Sequence, residues 1–182
     1  MYYGNIKNCD IADGLGVRVS LFVSGCRNCC KGCFNEMTWD FKFGKEFTKE
    51  TEEYILKLLE PDYIDGFTLL GGEPFEEENQ EPLAELLKKI KSTYPNKDIW
   101  CYTGYILEKD LLPEDGRKHT KHTKEMLDCI DILVDGPFIQ EQKNLMLKFR
   151  GSKNQRVIDL KNTLKEEKII IFIGSINNFR VL

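Results

Sequence analysis

The sequence predicts an α/β protein: a mostly parallel sheet with helices on its outside, either open or forming part of a (β/α) barrel. Three observations predict this. Short apolar runs at 17–23, 66–70, 98–102 and 132–134 alternate with stretches of helical period. Each of those runs ends in a polar or glycine-containing loop, and strand ends are where parallel sheets and barrels place their sites. A length of 182 residues favours one domain, 1–182, around one core.

Taken in order, Tyr2, Tyr3 and Ile6 predict a first short strand. Asp13-Gly14-Leu15-Gly16 is a turn in which glycine supplies positive φ. Residues 17–23 read as a buried strand, and its Arg18 reads as part of the site rather than as a structural charge. A cysteine-rich loop follows directly, and residues 41–47 read as a linker. Thr48 then caps a helix to about residue 59, with Tyr54, Ile55, Leu58 and Leu59 on its apolar face and Thr51-Glu52 giving an inexact capping pattern. Residues 66–70 are a second buried strand, closed by Gly71-Gly72-Glu73-Pro74. Residues 76–94 form a longer amphipathic helix along Leu83, Leu86, Leu87 and Ile90. A third strand spans 98–102, a short helix 106–112, and a polar loop 113–122, the expected mobile segment. A helix over 123–129 leads to a fourth strand ending in Asp135-Gly136-Pro137-Phe138. Later strands are expected at 157–160 and 169–173, with residues 161–182 read as a terminal strand completing the sheet.

Composition narrows the class. At 41% hydrophobic and 31% charged residues the chain reads as globular rather than disordered. A net charge of −4 with interspersed signs lacks the basic stripe that nucleic-acid binding needs. The run Arg117 to Lys124 reads as a solvated loop or helix entry, and its two histidines as surface residues. Apolar runs such as 169–173 are too short to cross a bilayer, so no membrane partner is expected. The N-terminal residues lack a signal-peptide pattern, which predicts a cytoplasmic protein. In that compartment seven cysteines favour metal or redox chemistry over disulfides.

The chemistry concentrates in Cys26-Arg27-Asn28-Cys29-Cys30-Lys31-Gly32-Cys33. Cys26, Cys30 and Cys33 form a C-x3-C-x2-C array able to hold three corners of a cubane iron–sulfur cluster. Three thiolates would leave one iron open to a small molecule, as catalytic zinc sites keep one open position. The same residues also read as two abutting C-x-x-C pairs. A zinc ribbon separates such pairs by about 15–20 residues, and adjacent cysteines point to opposite sides of an extended chain. A thioredoxin-like pair would be crowded by the extra thiols. The three-cysteine cluster therefore carries the reading, with Cys29 a bystander. The four strand-end loops would face one cleft in a parallel sheet, and Gly71 and Gly72 would let backbone approach a ligand closely.

This pattern resembles the radical S-adenosylmethionine (SAM) enzymes through the cysteine spacing and Gly71-Gly72-Glu73-Pro74. Further motifs resemble the activating proteins of anaerobic ribonucleoside-triphosphate reductases: Asp13-Gly14-x-Gly16-x-Arg18, Gly32-Cys33-Phe34-Asn35, Tyr102-Thr103-Gly104-Tyr105, Asp135-Gly136-Pro137-Phe138 and Phe149-Arg150-Gly151-Ser152 with Asn154-Gln155-Arg156. The resemblance covers roughly residues 4–160. Gly32 stands where many superfamily members carry an aromatic residue, with Phe34 following, an arrangement that favours these activators over the pyruvate formate-lyase activators.

The resemblance implies a partial (β/α) barrel of the radical SAM type, and 182 residues fall short of the full barrel's roughly 200 or more. It implies a 4Fe-4S cluster on Cys26, Cys30 and Cys33, with SAM on the open iron. SAM would pack against Gly32, Cys33 and Phe34, and its amino group would meet the backbone of Gly71, Gly72 and Glu73. Tyr102, Asp135, Arg150 and Asn154 would contact SAM or a partner, or else be structural. One electron, from flavodoxin or a similar donor, would cleave SAM to methionine and a 5′-deoxyadenosyl radical. That radical would take the Cα hydrogen of a glycine in the large subunit of the reductase. Two alternatives stand beside this: a small radical SAM enzyme acting on a metabolite, as in deazaguanine synthesis, and a non-enzymatic metal-binding module.

Overall fold

Arg18 to Val23 are buried without interruption, and they become a central strand. The computed structural model describes residues 1–174. Its strands are β1 (Tyr2–Asp10), β2 (Arg18–Val23), β3 (Lys45–Glu46), β4 (Gly66–Gly71), β5 (Asp98–Tyr102), β6 (Ile132–Asp135) and β7 (Arg156–Asp159). Its α-helices are α1 (Lys49–Leu59), α2 (Glu77–Thr93), α3 (Thr123–Cys129) and α4 (Leu160–Glu166).

The strands form one seven-stranded sheet in the order β3-β1-β2-β4-β5-β6-β7. The inner strands β2, β4, β5 and β6 are parallel. Both flanks are antiparallel, β3 and β1 at one side and β7 at the other. The connections explain this. Residues 11–17 are too few for the crossover of a dozen or more residues that parallel pairing needs. Residues 136–155 carry only a 3-10 turn, Gln140–Gln142, and no crossover helix, so β7 returns antiparallel. The sheet is open among the described residues, with β3 and β7 as separate edges.

All four helices pack on one face of the sheet. Val19, Leu21, Phe67, Leu69, Ile99 and Leu133 meet Ile55 and Leu59 of α1, Leu83 to Ile90 of α2, Met126 of α3 and Leu160 of α4, all fully or nearly fully buried. Trp100, Ile132 and Val134 look the other way, onto Tyr102, Phe149, Val157 and Phe172. Trp100 meets Phe149 and Phe172 edge-on, at ring-centroid separations of 5.1 and 5.6 Å.

Several sequence expectations need correcting. The linker at 41–47 contains β3, whose exposed Lys45 and Glu46 show no apolar signal and pair by backbone with Tyr3 and Tyr2. Tyr54 is 53% exposed and lies off the buried face of α1. The expected helix at 106–112 is a single π turn, Leu107–Leu111. The loop 113–122 is pinned: Gln80 Nε2 donates to the Lys118 carbonyl at 2.9 Å and Thr120 Oγ1 donates to Gln80 Oε1 at 2.7 Å. Its histidines are half-buried, and His119 Nδ1 lies 2.6 Å from the Leu111 carbonyl. The strand expected at 169–173 reduces to one bridge between Ile158 and Ile171. Within 161–182, α4 replaces the start of the expected terminal strand, and residues 175–182 lie outside the described residues.

Arg18 is also relocated. It opens β2, at the end of the strand remote from the cysteine loop, and is fully buried. Its Nε donates to Thr68 Oγ1 at 2.6 Å and its guanidinium to the Leu15 and Phe67 carbonyls at 2.9 and 2.8 Å, with Asp98 Oδ1 at 2.6 Å. Every one of these partners is structural, so Arg18 staples the Asp13–Gly16 turn under the sheet.

Candidate metal centre

The cysteine loop starts where β2 ends and is held there by backbone. Gly25 N donates to the Thr38 carbonyl at 2.8 Å and Cys26 N to the Trp39 carbonyl at 3.3 Å. The Gly71-Gly72-Glu73-Pro74 segment lies against it: Gly72 N donates to the Val23 carbonyl at 2.7 Å and Glu73 N to the Gly25 carbonyl at 2.8 Å. The glycines are required for this approach. A Cβ on Gly71, which sits at φ +114°, would come within 2.6 Å of Val23 N, and one on Gly72 within 2.7 Å of the Gly25 carbonyl oxygen.

Glu73 joins the next loop. Fully buried, its carboxylate accepts from Phe75 N at 3.0 Å, Thr103 Oγ1 at 2.7 Å, Gly104 N at 2.8 Å and Asn28 Nδ2 at 3.1 Å. Burial nonetheless pushes its carboxyl up to about 7. Gly136 N donates to the Tyr105 carbonyl at 3.0 Å, which completes a chain of contacts from the cysteine loop through the ends of β4, β5 and β6.

Cys26, Cys30 and Cys33 are partly buried free thiols, whereas Cys29 is exposed. Asn35 N donates to Cys33 Sγ at 3.4 Å, and Cys33 N donates to the Cys30 carbonyl at 3.1 Å, which closes the turn between those two cysteines. Burial, reinforced by the Glu73 charge, pushes the Cys26 thiol up to about 12, and burial also raises Cys30. A cationic centre is what would favour the thiolate form there. Among the described residues no three His, Cys, Asp or Glu side chains converge closely enough to hold a single metal ion. A zinc ion needs such convergence. A cubane takes each thiolate at a separate iron corner, so three partly buried free thiols carried on one loop suit a cluster better than one ion.

The other expected site residues divide. Gly32 sits at φ +72° with Gln140 Oε1 only 2.4 Å from where a Cβ would stand, so it lets the 138–142 segment close on the loop. Phe34 is 89% exposed and lines a cleft of about 340 Å³ with Lys7, Phe22, Asn35, Met37 and Phe43. Asp135 is fully buried and consumed by Arg156 and by Leu107 N, and Arg150 donates to the Gln155 carbonyl at 2.5 Å. Tyr102 OH and Asn154 Oδ1 are buried without a hydrogen-bond partner among the described residues, and burial raises the Tyr102 phenol.

The structure adds residues the sequence did not single out. Glu76 is fully buried and accepts from Arg27 N at 2.8 Å, Arg27 Nη1 at 2.6 Å, Lys118 Nζ at 2.8 Å and Tyr105 OH at 3.0 Å. Although burial acts to raise its carboxyl, these donors hold it below the usual range. The only sequence signal was a Glu run opening a helix, which ordinarily marks solvated first-turn acids.

A strand-end loop of three partly buried cysteines, locked to a Gly-Gly-Glu turn, defines the class: residues 12–158 match the family model described as a 4Fe-4S single cluster domain. Named relatives are closer still. The anaerobic ribonucleoside-triphosphate reductase-activating protein of Enterobacteria phage T4 is 40% identical over 161 residues, 86% of this chain and 93% of the relative. The proteins of that name from Haemophilus influenzae and Escherichia coli K12 are 41% and 37% identical over 85% and 88% of this chain, and 96% and 100% of their own lengths. The chain belongs to the family of anaerobic ribonucleoside-triphosphate reductase-activating proteins.

Proposed function

We propose that this protein activates an anaerobic ribonucleoside-triphosphate reductase by radical SAM chemistry, with Cys26, Cys30 and Cys33 as the cluster ligands. The observation that carries the reading is the loop of three partly buried free cysteines, joined by backbone to Gly72 and Glu73, in a chain whose relatives bear that activator's name. Cys26, Cys30 and Cys33 would hold a 4Fe-4S cluster, and that cluster would supply the electron for reductive cleavage of SAM, the source of the radical that would activate a glycine in the large subunit of the reductase.

The chain's own residues do the positioning. Gly71 and Gly72 keep backbone close beside the loop, where it can meet the SAM amino and carboxylate groups. Glu73 spends its carboxylate on four internal donors, so its contribution to SAM is through backbone and through the placement of Gly72. Phe34, next to Cys33 in the chain, is 89% exposed and free to offer an aromatic face to SAM. Asn154 Oδ1 is a buried polar atom without a partner among the described residues, open to a ligand contact. An unclosed sheet would leave the strand-end loops accessible to a macromolecular loop. Flavodoxin or a similar donor delivers the electron, and the reaction belongs to the cytoplasm.

The test is anaerobic reconstitution, reduction, and addition of SAM with the cognate reductase. Methionine, 5′-deoxyadenosine and a glycyl-radical resonance are expected. Cys30→Ala loses the cluster absorbance and SAM cleavage, and Cys29→Ala keeps both. 5′-Deoxyadenosine without a glycyl radical would move the substrate to a metabolite; no cleavage at all would reduce the protein to a metal-binding module.

A further inference from the structure

Cys29 and Cys30 are neighbours, and either could in principle follow Cys26 as the second cluster ligand. The loop between them and Cys26 is anchored at two consecutive residues. Arg27 gives its backbone N–H to Glu76 Oε1 at 2.8 Å, and its guanidinium spans Glu76 at 2.6 Å and Glu78 at 2.9 and 2.5 Å. The guanidinium also lies over the Phe41 ring, 4.3 Å from its centroid. Asn28 is tied to Glu73 at 3.1 Å and packs so near Gly104 that a Cβ there would stand 2.5 Å from its amide nitrogen. With these two residues fixed, the chain turns at Cys29, which sits at φ +44°, a conformation uncommon for a side-chain-bearing residue. Its thiol lies 3.7 Å from the Cys26 carbonyl and is exposed, while Cys30 is turned inward.

We propose that the buried Glu76 carboxylate, gripping Arg27 and backed by Lys118, is a positioning residue that selects Cys30 over Cys29 as a cluster ligand. This rests on the cluster reading above. Cys26 and Cys33 belong to both possible ligand sets; only the middle position depends on the path of residues 27–29. Lys118 matters because it brings a second cation, at 2.8 Å, to a carboxylate that has no solvent around it. Loss of the Glu76 charge frees Arg27 from its inner partner, and the turn at Cys29 can then relax toward the more common extended or helical backbone.

The test is differential alkylation with iodoacetamide, read by mass spectrometry, on anaerobically reconstituted wild type, Glu76→Gln and Arg27→Ala. In wild type, Cys29 is labelled and Cys26, Cys30 and Cys33 are protected. In both variants the contrast between Cys29 and Cys30 is lost, with protection divided between them, while Cys26 and Cys33 stay protected. Arg27 is half exposed, and Glu76 keeps its Lys118 and Tyr105 donors in Arg27→Ala, so this variant is the milder of the two for the fold. Protection of Cys30 unchanged in both variants, or equal loss of protection at all three ligands, would overturn the selection and leave Glu76 a structural support. Labelling of all four cysteines in wild type would overturn the cluster reading and the selection with it. A cluster-free readout accompanies this: trypsin spares the Arg27–Asn28 bond in wild type and cuts it in Glu76→Gln. Cleavage at equal rates in the two would show that Glu76 does not hold the loop.

Discussion

The side-chain amide of Asn28 donates to Glu73 at 3.1 Å across 45 residues of chain. Through this contact one buried carboxylate ties the cysteine loop to the ends of β4 and β5, since Thr103, Gly104 and Phe75 donate to the same group. Removing Glu73 strands two backbone amides and a hydroxyl in the interior. A buried donor left without a partner costs about 1–3 kcal/mol. Glu73→Ala should therefore lose roughly 2–5 kcal/mol in urea unfolding of the cluster-free protein. A loss under about 1 kcal/mol would mean that water reaches those donors, and that the loop junction is wetter than its burial implies.

Arg18 gives a prediction of the opposite kind, large in stability and small at the cysteines. Its guanidinium is fully buried at the far end of β2, satisfied by Thr68, Phe67, Leu15 and Asp98. Breaking a buried pair by removing one partner costs about 3–5 kcal/mol. Asp98 is 44% exposed and recovers water, so Arg18→Ala should sit at the low end, about 3 kcal/mol. Iron bound per folded molecule should match wild type after reconstitution at low temperature. A variant of normal stability that fails to take up iron would return Arg18 to the site.

How much of this was legible beforehand follows from where each residue's signal lies. β5 and α3 have the predicted bounds, because Asp98–Tyr102 and Thr123–Cys129 carry uninterrupted local patterns between clear breakers. β3 was invisible, because two exposed residues held by backbone pairing leave no trace in side-chain type. α4 was readable and overlooked: Asp159 caps it, accepting from Asn162 N at 3.1 Å, but the apolar Val157, Ile158 and Leu160 drew the strand reading past the cap. The antiparallel return of β7 depends on the absence of a crossover helix over 136–155, a tertiary fact. At the site, the cysteines announced themselves by spacing, whereas Glu76 did not. Its role arises from burial against Arg27 and Lys118, residues 49 and 42 positions away.

Thr48 offers a clean local test. Its side chain accepts from Thr51 N, and the Thr51 hydroxyl accepts from Thr48 N at 3.3 Å, a reciprocal cap in which threonine replaces the usual glutamate. Truncating an N-cap threonine costs about 1 kcal/mol. Thr48→Ala should lower the unfolding free energy in urea by that amount, read as a lower midpoint with an unchanged m-value. No change would show that Phe47 and the β3 pairing alone hold the start of α1.

Asp13 makes the protein's stability depend on pH in a definite direction. Burial, then hydrogen bonding and repulsion from Asp10, raise its carboxyl from 3.8 to about 7. Asp10 takes the other half of the arrangement: burial acts to raise it, yet its neighbour Asp13 and the Ala12 amide, which donates to Asp10 Oδ1 at 3.0 Å, leave it lowered. Between about pH 4 and 7 the folded protein therefore holds a proton at Asp13 that the unfolded chain has lost. Folding takes up a proton in that window, so stability falls as pH rises through it. Glu73, raised to about 7 as well, adds to the same slope. Glu78, held down to about 2 by Arg27, titrates below the window and does not cancel it. Asparagine at position 13 keeps a donor toward Asp10 but cannot ionise. Urea midpoints at pH 5 and pH 7.5 should then fall less in Asp13→Asn than in wild type, with Glu73 supplying the remainder. An identical fall in the two proteins would mean that Asp13 titrates at its ordinary value, and that the Asp10–Asp13 pair does not share a proton in the folded chain.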